Sequence, residues 1–253
     1  MTASYHDIDG KSVLVTGGAS GIGASIVRAF CAQGARVGFF DIDDAAAQKL
    51  IASIKEEHGV TPVYKSLDLR EQSSISDAVR DMSVAIGPID VLVNNAARDD
   101  RHSPEDISPD KWRDGLDVNL NHHFFCAQAV APGMKEKRCG SIINFSSVSY
   151  MMGLPDLVTY ETAKAGIIGL TRALARDWGE YGIRVNAVTP GCIMTQRQLD
   201  LWISPEDEER IQEQQCVKRR LVGDDVAQMV LFLASDVSSA CSSQNFIVDG
   251  GIV

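Results

Sequence analysis

The feature that most constrains this chain is an apolar run that leads directly into a glycine-rich turn near the N-terminus. Residues 13–15 are Val-Leu-Val, and the next residues place glycines at positions 17, 21 and 23 at the start of a helical pattern. Such glycines allow a tight turn and a close backbone approach to a pyrophosphate, which the N-terminus of the helix attracts. Strand, turn and helix in this order predict a dinucleotide-binding unit.

Strand-like and helix-like segments alternate along the whole chain. This alternation predicts one α/β domain over residues 1–253, with a single Rossmann-type, doubly wound parallel sheet of about seven strands and helices on both faces. The predicted strands are 12–16, 36–40, 62–67, 89–93, 141–146, 183–188 and 245–248. The predicted helices are 21–33, 43–57, one from about 71, 109–135, 157–180 and 224–235. The polar segment 189–223 lacks a strand pattern and is predicted to be a lid over the substrate.

Composition and charge argue against several classes of function. The net charge is −10 and the isoelectric point is near 4.9, which argues against nucleic acid or an anionic membrane as partner. No apolar run approaches the roughly 18 residues that span a bilayer, and the N-terminus lacks the apolar core of a signal peptide. The six cysteines form no Cys-x-x-Cys pair, so we expect reduced thiols in a cytoplasmic protein and no metal site.

Asp41 indicates which dinucleotide binds. It ends the second predicted strand, 18 positions after Gly23, where a carboxylate can accept hydrogen bonds from ribose hydroxyls and repel a 2′-phosphate. No lysine or arginine stands in the glycine loop or at Ile42 to neutralise that phosphate. The sequence therefore favours NAD over NADP. The alternative is that Asp41 only caps the next helix, although Asp43 and Asp44 can do so too.

Two further strand ends are predicted to contact the cofactor. Asp68 follows the third strand, a natural place to touch the adenine, and Ala96 and Ala97 follow the fourth, where small residues let the backbone approach the cofactor. For Asn94 and Asn95, tying the loops together is an equally open interpretation. The cofactor contacts predicted in these turns are Gly17, Ser20, Gly21, Ile22, Gly23, Asp41, Ile42, Asp68, Leu69, Asn95, Ala96 and Ala97.

A tyrosine and a lysine on one predicted helix supply candidate acid/base chemistry. Tyr160 and Lys164 are four residues apart, so they share a face of the helix. A neighbouring ammonium stabilises phenolate and lowers the tyrosine pKa from its usual value near 10. The phenolate can then take a proton from an alcohol as hydride leaves the same carbon. Ser147, at the end of the fifth strand, can hold the reacting oxygen.

With these residues in this order, the chain resembles the short-chain dehydrogenase/reductase family over essentially its whole length. The matching pieces are residues 16–23, Asp68, residues 94–97, Asn119, Ser147, Tyr160, Lys164, Pro190-Gly191 and residues 249–251. The resemblance implies that Tyr160 is the acid/base, that Lys164 lowers its pKa and binds the nicotinamide ribose, and that Ser147 orients the substrate. One departure is Ala97, where the family often has glycine.

The resemblance implies further roles that the residues alone do not show. Asn119, at a bend in its helix, positions a water that relays protons from Lys164. The loop after Pro190 and Gly191 covers the nicotinamide, with Ile193 and Thr195 near its carboxamide. Most relatives are tetramers or dimers, so a homotetramer is expected.

Two polar stretches at strand ends suggest a polyhydroxylated substrate. One follows the fourth strand, and the other lies in the lid, where Trp202 can stack on a sugar face. The predicted substrate contacts are Asp99, Arg101, His102, Ser147, Ser149, Tyr160, Arg197 and Trp202. The alternative is that the charged residues of the first stretch only brace their loop by ion pairing.

The stretch after the fourth strand looks like the aldose-oxidising members of the family. This similarity implies oxidation of a cyclic aldose, such as xylose or another pentose or hexose, at C1 to the lactone, with NAD accepting the hydride. The alternatives are a polyol dehydrogenase or carbonyl reductase that acts on another small alcohol or ketone, and, in a different class, an NAD-binding redox sensor without catalysis.

Overall fold

A parallel sheet organises residues 3–253, the part of the chain that the computed structural model describes. Its strands are β1 (Ser12–Thr16), β2 (Arg36–Asp41), β3 (Val63–Ser66), β4 (Val91–Asn94), β5 (Gly140–Phe145), β6 (Ile183–Pro190) and β7 (Asn245–Val248). Their order across the sheet is β3-β2-β1-β4-β5-β6-β7, and every pairing is parallel. The predicted seven-stranded α/β fold is confirmed.

Helices cover both faces of this sheet. Within the described residues the α-helices are α1 (Gly21–Ala32), α2 (Asp44–His58), α3 (Gln72–Ile86), α4 (Pro109–Leu116), α5 (His122–Lys137), α6 (Ser149–Met152), α7 (Val158–Trp178), α8 (Gln196–Leu201), α9 (Pro205–Gln214) and α10 (Gly223–Ala234). One hydrophobic core joins α1, α2 and α10 to the sheet, and a second joins α3, α5 and α7 to its other face.

Strand β1 shows why the sheet is buried on both sides. Val13 and Val15 belong to the first core, whereas Leu14 between them belongs to the second, and all three are completely buried. Successive side chains of a strand point to opposite faces, so an uninterrupted apolar run fits a sheet that helices cover twice. Each such side chain contributes about 1.5–3 kcal/mol by burial, which makes the centre of the sheet a firm support.

The order of the strands creates a crevice beside β1. From β1 the sheet grows through β2 to β3 in one direction and through β4 to β7 in the other. The loops that follow β1 and β4 therefore leave the sheet in opposite directions. In open α/β sheets ligands bind at such a point, outside the carboxyl ends of the strands. Most of the predicted site residues follow β1, β2, β4, β5 and β6.

The prediction of one continuous helix over residues 109–135 is wrong. A π-helical turn over Asp117–Asn121 separates α4 from α5, and α5 continues to Lys137. Such a turn widens the helix by one residue and is frequent at functional sites. Its sequence contains no proline or glycine that would indicate an interruption. The short helix α6 was also not predicted.

The segment 189–223, predicted as a lid, contains two helices that the sequence pattern did not indicate. Thr195 caps α8, and Ser204 begins α9 with a reciprocal capping arrangement with Asp207. At the two ends of the segment, Ile193 pairs with Leu221 in an isolated parallel bridge. The segment is thus a folded flap whose ends are held together.

The described residues contain neither a membrane-spanning helix nor a cluster of metal-binding side chains. No helix in residues 3–253 combines the length and the apolar character that crossing a bilayer requires. Over the same residues, no three His, Cys, Asp or Glu side chains are grouped so as to hold a metal ion. All six cysteines carry free thiols.

Candidate active site

A cleft of about 930 Å³ lies at the carboxyl ends of the strands, beside β1 and under the flap. This volume is near the upper end of the range of about 300–1,000 Å³ for small-molecule sites. The predicted site residues that line it are Gly17, Ser20, Gly21, Ile22, Gly23, Asp41, Ile42, Asp68, Leu69, Asn95, Ala96, Ala97, Asp99, Arg101, Ser147, Ser149, Tyr160, Lys164, Pro190, Gly191, Ile193, Thr195, Arg197 and Trp202. His102 and Asn119 lie outside this lining.

The glycine loop fits a pyrophosphate because its backbone has no room for side chains. Gly17 has φ +64°, and a Cβ there would stand 2.7 Å from the Cα of Ala96. At Gly23 a Cβ would stand 1.9 Å from the carbonyl oxygen of Gly17. Ser20 begins α1 without a capping hydrogen bond from its side chain. The first turn of α1 can therefore direct its N–H groups to an anion in the cleft.

Three backbone N–H groups hold the Asp41 carboxylate at the cleft wall. Its oxygens accept from the N–H of Ala19 at 2.8 Å, of Ile42 at 2.8 Å and of Asp43 at 3.1 Å. The cap of α2 is Asp43, which accepts from the N–H of Ala46 at 2.9 Å. The interpretation of Asp41 as a helix cap is therefore wrong. Its negative charge is fixed where the second strand ends.

An ion-pair network fixes the wall beside Asp68. The guanidinium of Arg70 bonds to Asp68, with Nε 3.0 Å from Oδ1, and reaches Asp114 at 2.8 Å. Arg98 also contacts Asp114, at 2.6 Å. The bond from Arg70 lowers the pKa of Asp68 below its ordinary value. Arg70 lines the cleft, but two carboxylates already share its charge.

The side chains of Asn94 and Asn95 tie loops together, which was one of two open interpretations. The Asn95 amide donates to the carbonyl oxygens of Thr16 at 3.0 Å and Gly17 at 2.9 Å. The N–H groups of Asn95 and Ala96 both donate to the Thr16 hydroxyl. Asn94 is buried and bonds to α5 and β5. These bonds lock the loop after β4 against the glycine loop.

Tyr160 and Lys164 lie one turn apart on α7 at the floor of the cleft. The Nζ atom of Lys164 is 5.4 Å from the centre of the Tyr160 ring and donates to the carbonyl oxygen of Phe145 at 2.8 Å. Ser147 lines the same cleft and lowers the pKa of the Tyr160 phenol. Three of the four predicted catalytic side chains are thus brought together at one cleft by α7 and the loop after β5.

Burial dominates the electrostatics of this pair. Burial raises the pKa of Tyr160 above its ordinary value, the Asp99 carboxylate adds to this rise, and Ser147 opposes it. Burial lowers the pKa of Lys164 to about 7, with Asp99 acting in the opposite direction. The lowering of the Tyr160 pKa by Lys164 stays a prediction. A positive charge near the phenol would favour phenolate.

Asn119 stands in the π-helical turn, and its side chain serves the structure. Its Oδ1 accepts from the N–H of Arg98 at 2.8 Å, and its Nδ2 donates to the carbonyl oxygens of Arg98 at 3.0 Å and Gly115 at 2.9 Å. Both amide N–H bonds are therefore used. The contact between Asn119 and a water molecule, which the resemblance implies, stays a prediction. A backbone group of this turn, and not the amide N–H groups of Asn119, would make that contact.

The substrate end of the cleft is closed by contacts between the loop after β4 and the flap. Asp99 accepts from Gln198 Nε2 at 2.7 Å and lies 3.3 Å from Arg197 Nη2. The guanidinium of Arg101 stacks 5.0 Å from the centre of the Trp202 ring. One face of Trp202 is thus covered by Arg101. The indole can offer only its other face to a sugar, unless Arg101 moves.

His102 braces its loop, and its position outside the cleft lining does not support the predicted substrate contact. Its Nδ1 lies 3.1 Å from the carbonyl oxygen of Asp100, and its Nε2 lies 3.2 Å from the Thr159 hydroxyl. Its backbone N–H donates to the carbonyl oxygen of Asp156 at 2.9 Å. Ser149, by contrast, lines the cleft with a buried hydroxyl that has no partner in the described chain.

A pair of buried histidines supports the site and was not singled out from the sequence. His122 and His123 are completely buried, with ring centres 4.2 Å apart. Burial, with the charge of Lys164, lowers the pKa of His122 to about 3, so the ring is neutral. Its Nε2 lies 3.0 Å from the carbonyl oxygen of Ala96 and must donate to it. The only sequence signal is two adjacent histidines in an apolar helix.

Comparisons with known proteins agree with this geometry. The family model described as "Enoyl-(Acyl carrier protein) reductase" matches residues 17–253. The chain is 47% identical over 251 residues to the probable galactose dehydrogenase of Rhizobium meliloti, covering 99% of this chain and 98% of that protein. It is 48% identical over 250 residues to the D-xylose 1-dehydrogenase of Caulobacter vibrioides, with the same two coverages of 99% and 98%.

A solved structure extends the similarity to the fold. The crystal structure of a candidate short-chain alcohol dehydrogenase from Sinorhizobium meliloti superimposes with a TM-score of 0.92 at 31% sequence identity. The superposition covers 98% of each chain. The fold is therefore shared with a protein whose structure is described as that of a short-chain alcohol dehydrogenase.

Proposed function

The chain belongs to the short-chain dehydrogenase/reductase family, and from this premise we propose that it oxidises an aldose at C1 with NAD as hydride acceptor. It is an oxidoreductase that acts on CH–OH groups with a nicotinamide cofactor. The observation that carries the chemistry is the meeting of Tyr160 with Ser147 and Lys164 at the floor of one cleft.

The residues present divide the reaction between them. When bound, oxidised NAD would supply the hydride acceptor. Ser147 and Tyr160 hold the C1 hydroxyl between their oxygen atoms, and Tyr160 accepts its proton as the C1–H bond breaks. Lys164, held by the Phe145 carbonyl, would bind the nicotinamide ribose and favour the deprotonated phenol by its positive charge. The aldose loses a hydride and a proton, which gives the lactone and NADH.

Asp41 and Arg70 support NAD over NADP. Asp41 presents a carboxylate that is held by three N–H groups, suited to accept from the two ribose hydroxyls and to repel a 2′-phosphate. Arg70, a cation on the same wall, is engaged with Asp68 and Asp114. Neutralising a phosphate there would require Arg70 to leave one of these partners.

The sugar substrate is supported by the relatives and by the polar end of the cleft. The chain is 47% and 48% identical to two proteins whose names describe dehydrogenases of galactose and of D-xylose. Asp99, Gln198 and the unpartnered hydroxyl of Ser149 line the cleft and supply acceptors and donors for a polyhydroxylated ligand. We take D-xylose as the first substrate and D-galactose as the second.

The test measures formation of the reduced cofactor with D-xylose, L-arabinose, D-galactose, D-glucose and a set of polyols, run with NAD and with NADP. A second assay measures NADH consumption with a set of ketones. Turnover of an aldose with NAD supports the proposal. Turnover of polyols or ketones alone would favour the alternative of a polyol dehydrogenase or carbonyl reductase. NAD binding without turnover of any alcohol would favour a redox sensor.

We also propose that the chain forms a homotetramer. A hollow of about 380 Å³ on the outer side of α5 and α7 is lined by Leu120, Phe124, Phe125 and Leu170 among others. An apolar hollow on neighbouring long helices is a surface that a second copy can cover. Light scattering coupled to size-exclusion chromatography gives the mass directly. The cytoplasmic location stays a prediction.

A further inference from the structure

Asp99 is a charged group that acts on both members of the catalytic pair. Asp99, Tyr160 and Lys164 line the same cleft, and the Asp99 side chain keeps 18% of its surface exposed. The Asp99 carboxylate also raises the pKa of both Tyr160 and Lys164. A carboxylate in this shared cleft is available to a substrate whose C1 oxygen binds to Tyr160.

The two oxygens of Asp99 are held unequally. Oδ2 accepts from Gln198 Nε2 at 2.7 Å. Oδ1 has only long contacts with Arg197, at 3.3 and 3.4 Å, from a side chain that is 49% exposed. Good charge-assisted hydrogen bonds measure about 2.7–2.9 Å. Oδ1 is therefore an acceptor that a better donor can take over.

The chemistry of the sugar selects that donor. Besides the reacting C1 hydroxyl, the two oxygens nearest to C1 of a cyclic aldose are the ring oxygen and the hydroxyl on C2. An ionised carboxylate only accepts hydrogen bonds, and the ring oxygen has no hydrogen to donate. The C2 hydroxyl is thus the nearest donor to a carboxylate that flanks the C1 site.

We propose that Asp99 is a specificity-determining residue that accepts a hydrogen bond from the C2 hydroxyl of the aldose through Oδ1, while Gln198 of the flap holds the carboxylate in position. This assignment rests on the proposed aldose oxidation. It adds that the enzyme recognises a 2-hydroxy aldose and discriminates against a 2-deoxy sugar. Gln198 acts as a positioning residue, because it reaches the sugar through Asp99.

The competing interpretation is that Asp99 only fastens the flap. Asp100 provides the matched control for that role, because it contacts Arg197 at 3.4 Å and also pairs with Arg98. Its side chain is 55% exposed, and it is absent from the cleft lining. Removing the charge of Asp100 weakens the fastening of the flap without removing an acceptor from the cleft.

The experiment compares kcat/KM for D-xylose and 2-deoxy-D-xylose in the wild type, Asp99→Asn, Gln198→Ala and Asp100→Asn. We expect the wild type to prefer the 2-hydroxy sugar by about ten- to a hundredfold, the scale of a hydrogen bond to a charged group. Asp99→Asn should lose most of that preference, because kcat/KM for D-xylose should fall much further than kcat/KM for the deoxy sugar measured at the same pH. Gln198→Ala should lose part of it, and Asp100→Asn should retain it.

Two results overturn the assignment in distinguishable ways. An unchanged preference in Asp99→Asn, with active wild-type enzyme, overturns the role of Asp99 alone. No turnover of any aldose by the wild type overturns the proposed function and the role of Asp99 with it. Titration of NAD into each variant shows whether the cofactor half of the cleft is intact. A loss of NAD binding in Asp99→Asn would show that Asp99 fastens the flap, and would overturn its assignment as a sugar contact.

Discussion

The ammonium nitrogen of Lys164 lies 5.4 Å from the centre of the Tyr160 ring, and the lysine is almost completely buried. Burial favours the neutral form of each group, because a charge in a low-dielectric site loses its hydration. A positive charge placed near the phenol would favour phenolate over the neutral form. The proposed acid/base role of Tyr160 depends on that balance.

Removing the phenol oxygen tests this assignment directly. Tyr160→Phe should keep NAD binding and lower kcat for the aldose at least about a hundredfold, the usual scale of lost acid/base catalysis. The measurements are steady-state kinetics and an NAD titration by quenching of protein fluorescence. Near-normal turnover in this variant would contradict the role of Tyr160.

The charge of Asp99 should set the acidic limb of the pH profile. Because the Asp99 carboxylate raises the pKa of Tyr160, Asp99→Asn should lower that pKa. Oxidation needs the deprotonated phenol, so the acidic limb of kcat for the aldose should move to lower pH. The limb is measured at saturating sugar and NAD. A shift to higher pH would show that the carboxylate acts in another way.

The discrimination between cofactors should depend on Asp41. Asp41→Ala should raise the ratio of kcat/KM for NADP to that for NAD by about tenfold or more, which corresponds to about 1.4 kcal/mol. Asp44→Ala is the matched control, because it removes the same charge from a residue that does not line the cleft. A wild type that already prefers NADP would refute the interpretation of Asp41.

The glycine loop offers a paired test of backbone space. Gly23→Ala should abolish detectable NAD binding, because its Cβ would stand 1.9 Å from the carbonyl oxygen of Gly17. Gly133→Ala, in α5, meets no atom within 4 Å and should retain full activity with a slightly higher melting temperature, since alanine favours helix by about 1 kcal/mol. Equal NAD affinity in both variants would exclude the proposed fit of the loop.

The sequence predicts those parts of the fold and the site that depend on local patterns. The apolar run before Gly17 predicts a buried strand that ends in a turn. The four-residue spacing of Tyr160 and Lys164 predicts that both side chains lie on one face of a helix. Both predictions succeed because burial and helix periodicity depend on residues that are close together in the sequence. The sequence does not decide whether Asp41 caps α2 or faces the cofactor, since Asp43 and Asp44 could cap the helix equally well. The structure shows that Asp43 is the cap.

Features that depend on distant contacts could not be predicted from local patterns. The family resemblance implied a bend at Asn119, but the pattern of residues 109–135 did not, and Asn119 there bonds to the loop after β4. The bracing of His102 by Thr159 joins residues far apart in the sequence. The stacking of Arg101 on Trp202 likewise depends on how the flap folds. The sequence of one segment shows which of its side chains are polar. It does not show which distant residue each of those side chains will bind.

The three N–H bonds to Asp41 give this residue two separable duties. One oxygen fastens the glycine turn through Ala19, which is a mechanical duty that any hydrogen-bond acceptor of the same shape can perform. The negative charge, by contrast, is the part of the residue that we propose repels a phosphorylated ribose. Engineering toward NADP should therefore begin with an isosteric amide, because truncation would loosen the turn in the same step that it opens the pocket.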